Sequence, residues 1–411
     1  MTETAYIINT LFILIAAILV MFMSAGFAML EAGTVRSKSV GVILVKNVAL
    51  YAIAGFMFWL VGYNLMYMNV DGGLIGTPLP YAPDDAAALA GDFSAGHTSE
   101  ADWFFQMVFV ATAASIVSGA LAERIKLWPF FFFVALLCGL IYPTVGSWVW
   151  GGGWLSEMGF KDFAGSTLVH SVGGWAALTG AIILGARRGR FGKDGVRVMA
   201  PTSLTMTTLG TFILWFGWFG FNGGSQLAIA STEDALAVGK ILANTNMAAA
   251  AGTMAILLFY KAMDRKIDLP MLLNGTLAGL VAITAEPLKP SIGMAMLIGG
   301  SGAFVMLLVS MALEKVKIDD VVGAVPVHLG AGIFGTIVVC LSNPETTFMT
   351  QIVGVLAIGA FTGTISLLLW AAMRATVSIR LRWSEENQGS DMAELGMKAH
   401  NLEYDVLTAK H

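Results

Sequence analysis

Two histidines occupy equivalent positions in a repeated motif, and histidine is the side chain best suited to accept and release a proton near neutral pH. The segments 162–174 and 320–332 both read D-x2-G-x3-V-H-x3-G, with His170 and His328 eight residues after the aspartate. A single histidine in an apolar run is as often a hydrogen-bonded packing residue as a functional one. Two at equivalent positions favour a functional pair that orients a small polar molecule or relays a proton.

Each copy of the motif opens on an aspartate, Asp162 or Asp320, directly ahead of an apolar run. A carboxylate at a helix N-terminus accepts backbone N–H bonds and is stabilised by the helix dipole. We therefore expect both aspartates to cap helices. We expect Asp162 to attract an external cation electrostatically as well.

Aromatic residues gather near the expected outer ends of several apolar runs: Phe105, Phe109, Trp150, Trp218, Phe219 and Phe221, with Ser225 close behind. A belt of aromatic side chains at the membrane interface is one explanation, and it is the one we favour for Trp218 and Phe219. The other is a cation-binding vestibule, because aromatic faces attract cations and a hydroxyl accepts a hydrogen bond from an N–H donor.

The composition indicates that these residues lie in a lipid membrane. Hydrophobic residues make up 57% of the 411-residue chain and charged residues 12%, about half of the roughly 25% found in soluble domains. These fractions exclude a soluble globule and a disordered chain. The net charge of −4 and the lack of a basic stripe exclude a nucleic-acid-binding protein. Cys138 and Cys340 lie in apolar runs without metal-type spacing, so we expect neither a metal site nor a disulfide framework.

The apolar runs predict an all-α integral membrane protein with eleven transmembrane helices, since a spanning helix needs about 20 apolar residues. The N-terminus lacks the basic region of a signal peptide, so the first run is interpreted as a retained helix. The predicted spans are 7–30, 46–68, 103–123, 128–147, 166–186, 199–221, 242–262, 269–286, 291–313, 322–341 and 348–374.

The distribution of charge predicts the orientation, because Lys and Arg remain on the cytoplasmic side. The segment 69–102 carries six acidic residues and no Lys or Arg, and with eleven spans 20 of the 23 basic residues fall on the other side. We expect a multi-pass protein of the cell (inner) membrane with its N-terminus outside. Residues 1–380 would form the membrane domain, and the polar residues 381–411 a cytoplasmic C-terminal tail and interaction segment.

The two histidine motifs open spans 5 and 10, five spans apart. Because five is odd, the second half must be inverted relative to the first, so we predict an inverted five-helix repeat (spans 1–5 and 6–10) plus one extra helix. Eight residues of helix rise roughly 12 Å, and the hydrocarbon core is about 30 Å thick. Both imidazoles should therefore meet near the midplane from opposite faces.

The chain resembles the ammonium transporter (Amt/Rh) family, on the Amt side, over residues 7–375. The segments that carry the resemblance are 26–38 (GFAMLEAGTVRSK), 119–124 (GALAER), 149–153 (VWGGG), 162–165 (DFAG) with His170, 215–225 (WFGWFGFNGGS), and 319–320 (DD) with 327–328 (VH).

The resemblance implies a role for each matching residue. It implies an outer ammonium recruitment site at Phe109, Trp150 and Ser225, a gate of Phe109 and Phe221, twin pore histidines at His170 and His328, and a structural and electrostatic aspartate at Asp162. It further implies ammonium as the substrate with methylammonium as an analogue, a homotrimer in membrane lipid with one pore per subunit, and regulation by a PII-type signal protein. It implies no cofactor.

The chain departs from the family pattern at several positions. Gly323 stands where the family often has Asp, Ser39 where Asn is usual, and Glu286 where a small residue is common. Residues 201–203 read PTS, and the tail carries Ser390 and Leu395 as substitutions in the family motif. The tail departures bear on control by a PII-type partner rather than on transport.

We therefore expect an ammonium transporter or channel rather than an enzyme. Ammonium would lose its proton at the outer site, and ammonia would cross an apolar pore that potassium, which has no proton to give up, cannot cross cheaply. The proton either follows separately or returns outside. An ammonium sensor acting through a cytoplasmic partner is the main alternative, and a carbon dioxide or urea channel is another. Glu31, at the cytoplasmic end of span 1, would make an interhelix hydrogen bond or belong to an inner vestibule.

Overall fold

The computed structural model describes residues 1–193 and 195–400, and this part of the chain is helical apart from one hairpin, β1 (Phe191–Gly192) antiparallel to β2 (Gly195–Val196). Within these residues, nine helices are long and apolar enough to cross a membrane, and two further apolar helices are shorter. The nine are α1 (Glu3–Thr34), α2 (Ser37–Tyr67), α3 (Ser99–Ala120), α4 (Leu127–Glu157), α5 (Ser166–Leu184), α6 (Leu204–Gly224), α7 (Thr232–Ala262), α9 (Ile292–Lys315) and α11 (Phe348–Val377). The shorter two are α8 (Leu269–Ile283) and α10 (Val325–Leu341).

Each predicted apolar span lies on one of these helices, but several boundaries were wrong. The helix α7 begins at Thr232, not at 242, because its first turn is polar and Ser231 caps it by accepting the Asp234 N–H at 3.0 Å. The helix α2 begins at Ser37, not at 46, so Lys46 lies inside it and its side chain is fully buried. A search for apolar stretches does not detect a polar first turn such as that of α7.

Contacts between loops define two faces of the helix bundle. On the face that carries residues 378–396, here called the tail face, Lys126 N–H donates to Ile379 and Arg188 pairs with Glu386 at 3.2 Å. On the opposite, far face, the Asn9 side chain donates to the Gly96 carbonyl at 3.3 Å. Alternate helix ends fall on alternate faces, so α5 enters from the far face and α10 from the tail face.

A buried ion-pair network joins four loops on the tail face. Arg187 pairs with Glu123 at 2.9 Å and with Asp319 at 2.8 Å, and Arg36 also pairs with Glu123. Burial alone would raise the pKa of Asp319, but hydrogen bonds from Arg187, together with the charges of Arg187 and Arg124, hold it at about 2. The carboxylate therefore stays ionised, and the network fixes the loop that leads into α10.

The tail is integrated into this face through helix capping. Asp391 accepts the N–H groups of Gly41 and Val42 at 2.9 and 2.8 Å, and Glu394 accepts that of Leu127 at 2.9 Å. These carboxylates sit where the dipoles of α2 and α4 favour negative charge. The part of the predicted tail that the structure describes thus packs against the helices, while residues 401–411 lie outside the described residues.

Close backbone approach holds together α1 and α6, the first helices of the two predicted halves. A Cβ atom at Gly210 would come within 2.3 Å of the Leu30 nitrogen. Glycine is therefore required at this crossing, as is common where apolar helices pack without large side chains between them. The approach sets the position of α6, which carries Trp218 and Phe221.

Candidate functional site

The two predicted histidines meet in the centre of the bundle. The Nδ1 atoms of His170 and His328 lie 3.2 Å apart, and the ring centroids are separated by 5.2 Å at an interplanar angle of 25°. The rings are 0% and 4% exposed. A hydrogen bond between two Nδ1 atoms requires one ring to donate and the other to accept. When both rings are neutral, their outer Nε2 atoms must then differ, one a donor and the other an acceptor.

Asp162 positions His170 by capping the start of α5. Its Oδ2 accepts the N–H groups of Thr167 and Leu168, both at 2.8 Å. The chain folds back to allow this because Gly165 has a φ of +103°, in the left-handed region that favours glycine. The capped turn is π-helical over Ser166–Ser171 and contains His170.

The second motif repeats this geometry at the start of α10. The Asp320 carboxylate accepts the N–H groups of Gly323 and Val325 at 3.1 and 2.6 Å, and a π-helical turn over Val325–Gly330 contains His328. Gly323 has a φ of +79°, and a Cβ there would approach the Asn274 side-chain nitrogen to 2.4 Å. This backbone conformation and lack of space account for glycine at a position where the family often has Asp.

Two stacked phenylalanines lie on the far-face side of the histidines. Phe109 and Phe221 have ring centroids 4.0 Å apart at 23°, and both are buried. Phe221 also stacks on His170 at 5.4 Å, and Phe109 meets Trp150 edge-on at 6.0 Å. The rings of Trp150, Phe109, Phe221, His170 and His328 therefore form one continuous series.

Hydrogen bonds to backbone carbonyls fix the remaining predicted recruitment residues. Trp150 is half-buried, and its indole N–H donates to the Asp162 carbonyl at 3.0 Å. The Ser225 hydroxyl, also half-buried, donates to the Phe221 carbonyl at 2.8 Å. Because its hydrogen is used in this bond, the hydroxyl oxygen can offer only lone pairs to a ligand beside the Phe pair.

The interfacial-belt interpretation was wrong for Trp218. Its side chain is fully buried, its ring stacks on His170 at a centroid distance of 5.1 Å, and its indole N–H donates to the Thr284 hydroxyl at 2.8 Å. Phe219 is half-buried. The spacing of Trp218 and Phe221 contained the missed signal, since residues three apart on a helix share a face. Phe105 likewise packs on Phe109, at 4.8 Å.

A small cavity lies on the tail-face side of the pair. It has a volume of about 20 Å³ and is lined by His328, Glu31, Phe27, Ser115 and mainly apolar neighbours. The Phe27 ring lies 6.2 Å from that of His328. The histidine pair therefore has an aromatic stack on one side and a cavity with a carboxylate in its wall on the other.

Relatives of known name match almost the whole chain. The profile of the Ammonium Transporter Family matches residues 11–400. A putative ammonium transporter of Synechocystis is 41% identical over 98% of this chain and 91% of its own length. Ammonium transporter Amt2 of Archaeoglobus fulgidus is 38% identical over 93% of this chain and 86% of its own.

Solved structures agree with these matches. A structure entitled Sensor Amt Protein superposes with a TM-score of 0.89 at 35% identity, over 96% of this chain and 99% of that one. The crystal structure of Candida albicans Mep2 superposes with a TM-score of 0.80 at 27% identity, over 93% and 88%. Together with the motifs that carry His170 and His328, these matches show that the chain belongs to the ammonium transporter family.

Proposed function

We propose that this protein takes up ammonium at its far face, removes one proton and conducts ammonia between His170 and His328. The observation that carries the proposal is the unbroken series of rings from Trp150 to His328, with the two Nδ1 atoms 3.2 Å apart at its end. This arrangement offers a cation an aromatic binding surface, then a dry barrier, then a polar pair that a neutral molecule can reach.

Recruitment takes place at Trp150, Phe109 and Ser225. Aromatic faces attract a desolvated cation by about 2 kcal/mol, and the Ser225 oxygen accepts one N–H bond. The buried carboxylate of Asp162, with Oδ1 unpartnered among the described residues, adds negative potential near Trp150. These contributions replace part of the hydration shell that ammonium loses on entry.

Selection follows at the Phe109–Phe221 pair. The two rings leave no polar surface between them, and a bare cation in such surroundings costs far more than a neutral molecule. Ammonium crosses by leaving a proton behind, whereas potassium has none to leave. The rings must swing apart for ammonia to pass, because their centroids are 4.0 Å apart.

The histidine pair receives ammonia and handles the proton. Because the outer nitrogens of the two neutral rings differ in donor and acceptor character, the pair can accept a proton at one end and release one at the other. Trp218 and Phe221 hold the His170 ring by stacking. The chemistry is proton exchange with a transported molecule, so we propose a transporter rather than an enzyme.

The membrane arrangement is part of the proposal. We propose eleven transmembrane helices, α1 to α11, as an inverted repeat of α1–α5 and α6–α10 followed by α11, supported by the matching geometry of the two motifs that enter from opposite faces. The concentration of Lys and Arg on the tail face supports a cytoplasmic tail face and an external N-terminus in the cell membrane. We also propose a homotrimer whose tail face binds a PII-type signal protein.

Solid-supported-membrane electrophysiology on proteoliposomes tests the transport proposal. Ammonium pulses should give a current and potassium pulses none. The variant His170→Ala/His328→Ala should lose selectivity or conduction, while His97→Ala, the same change in the far-face loop, should behave as wild type. Uptake of ammonium without current would mean that the proton returns outside. A double variant with wild-type selectivity and rate would contradict the role of the pair.

A sensor is the second candidate, favoured by the likeness to the structure entitled Sensor Amt Protein and by the docking of the tail onto α2 and α4. Deleting residues 397–411 separates the two functions while keeping Asp391 and Glu394 in place. A transporter should keep full uptake after this deletion. A sensor should lose its signal to the partner.

A further inference from the structure

The carboxylate of Glu31 is buried but only half satisfied. Glu31 lies near the tail-face end of α1 and is 1% exposed. Its Oε2 accepts the Ser118 hydroxyl at 2.7 Å and the Asn47 amide at 3.1 Å. Its Oε1 has no hydrogen-bond partner among the described residues. A buried carboxylate oxygen without a partner is costly, so this oxygen points to a missing ligand.

The space for such a ligand lies between Glu31 and His328. Both residues line the cavity of about 20 Å³ described above, which is large enough for one molecule the size of water. Most of the remaining wall is apolar, including Phe27, Leu277 and Val327. A small polar molecule there would meet the carboxylate and the imidazole, and Ser115 and Asn274 are the other polar residues of the wall.

A buried lysine nearby compensates the charge of Glu31 without occupying Oε1. Lys46 is fully buried, and its ammonium group donates to the Ser118 carbonyl at 2.7 Å. Ser118 thus connects the two charged side chains, its hydroxyl bonded to Glu31 and its carbonyl to Lys46. A charge of opposite sign close by allows a carboxylate to remain ionised in the interior.

We propose that Glu31 binds ammonium on the tail-face side of the twin histidines. The proposal rests on the transport function above and adds a second binding site to it. Ammonium is a hydrogen-bond donor small enough for the cavity. Glu31 offers it an anionic acceptor in direct contact, which Trp150, Phe109 and Ser225 of the outer recruitment site do not. A purely structural glutamate would need neither the adjoining cavity nor a free oxygen.

The test is whether substitution of Glu31 changes the half-saturating ammonium concentration at one face alone. Ammonium currents are recorded on membranes oriented right-side-out and inside-out, with the wild type, Glu31→Gln and Glu314→Gln. The last variant makes the same change at a more exposed carboxylate of the tail face, paired with Arg190. Glu31→Gln should raise the half-saturating ammonium concentration at the tail face about tenfold, in line with the loss of a charged hydrogen bond. It should change the far-face value less than twofold.

The outcomes separate this inference from the transport proposal. Wild-type protein without ammonium current would contradict the transport function itself. With wild-type current present, an unchanged tail-face value in Glu31→Gln, or an equal change at both faces, would overturn the role of Glu31. Ser115→Val narrows the same cavity without altering Glu31. Ser115→Val should also raise the half-saturating ammonium concentration at the tail face. This variant tests the role of the cavity even where Glu31→Gln does not fold.

Discussion

The indole of Trp218 stacks on the imidazole of His170, with ring centroids 5.1 Å apart and an interplanar angle of 23°. The Thr284 hydroxyl holds the indole N–H at 2.8 Å on the other side. The orientation of His170 is thus set by Trp218 of α6. Trp218 is itself anchored to Thr284, the residue that follows α8. Conduction should depend on this arrangement as well as on the histidines.

Replacing Trp218 with Leu should lower the ammonium current several-fold, because the His170 ring loses its stacking partner and can rotate away from His328. Thr284→Val should have a smaller effect, since it removes one hydrogen bond worth about 1 kcal/mol. Proteoliposome currents measure both. Trp215→Leu, a half-buried tryptophan of the same helix, serves as the control. Equal losses in Trp215→Leu and Trp218→Leu would contradict a specific role for the stack.

The two capping aspartates should contribute similarly to stability but differently to transport. Asp162→Ala and Asp320→Ala each leave helix N–H groups uncapped and should each destabilise the protein by about 1–2 kcal/mol. Asp162→Ala alone should raise the half-saturating ammonium concentration at the far face, because Asp162 lies beside Trp150. Thermal unfolding in detergent and oriented current recordings separate the two effects. An equal transport defect in both variants would show that the loss of the helix cap alone causes the defect.

The tail-face network should make the protein sensitive to acid. The pKa of Asp319 is about 2 in the folded protein, below the value near 3.9 of an unfolded chain. Its contribution to stability is therefore complete above about pH 4 and is lost as the pH falls towards 2, by about 2–3 kcal/mol. The unfolding temperature should drop across this window in the wild type and less steeply in Asp319→Asn. Glu233→Gln, an exposed carboxylate of α7, should keep the wild-type slope.

Removing the Asp391 carboxylate should release the tail from α2. Its two oxygens bind different N–H groups, Oδ2 that of Gly41 and Oδ1 that of Val42. Asp391→Ala should therefore lose both bonds, and Asp391→Asn, with one acceptor oxygen, should lose one. Hydrogen exchange at Gly41 and Val42 measures this directly, with Met397→Ala as control. Unchanged exchange in Asp391→Ala would mean that other contacts alone hold the tail.

The histidine pair was accessible to sequence analysis because the motif repeats and the number of spans between the copies is odd. The expectation that two imidazoles enter from opposite faces follows from counting, and the contact of 3.2 Å between their Nδ1 atoms agrees with it. The gate residues Phe109 and Phe221 came instead from the family resemblance. Their stacking could not be read from their spacing, because they lie on different helices.

Composition and spacing were enough to predict a membrane protein of apolar helices, the approximate places of those helices along the chain, and two Asp–Gly–His motifs in equivalent places. Those properties depend on local composition and spacing. The packing of distant segments placed the Trp218 ring on His170, set the Asp391 carboxylate at the start of α2, and linked Glu31 to Lys46 through Ser118. Helices that are apolar on every side carry no mark of which face meets which neighbour. Contacts between distant segments arise only when the helices are packed.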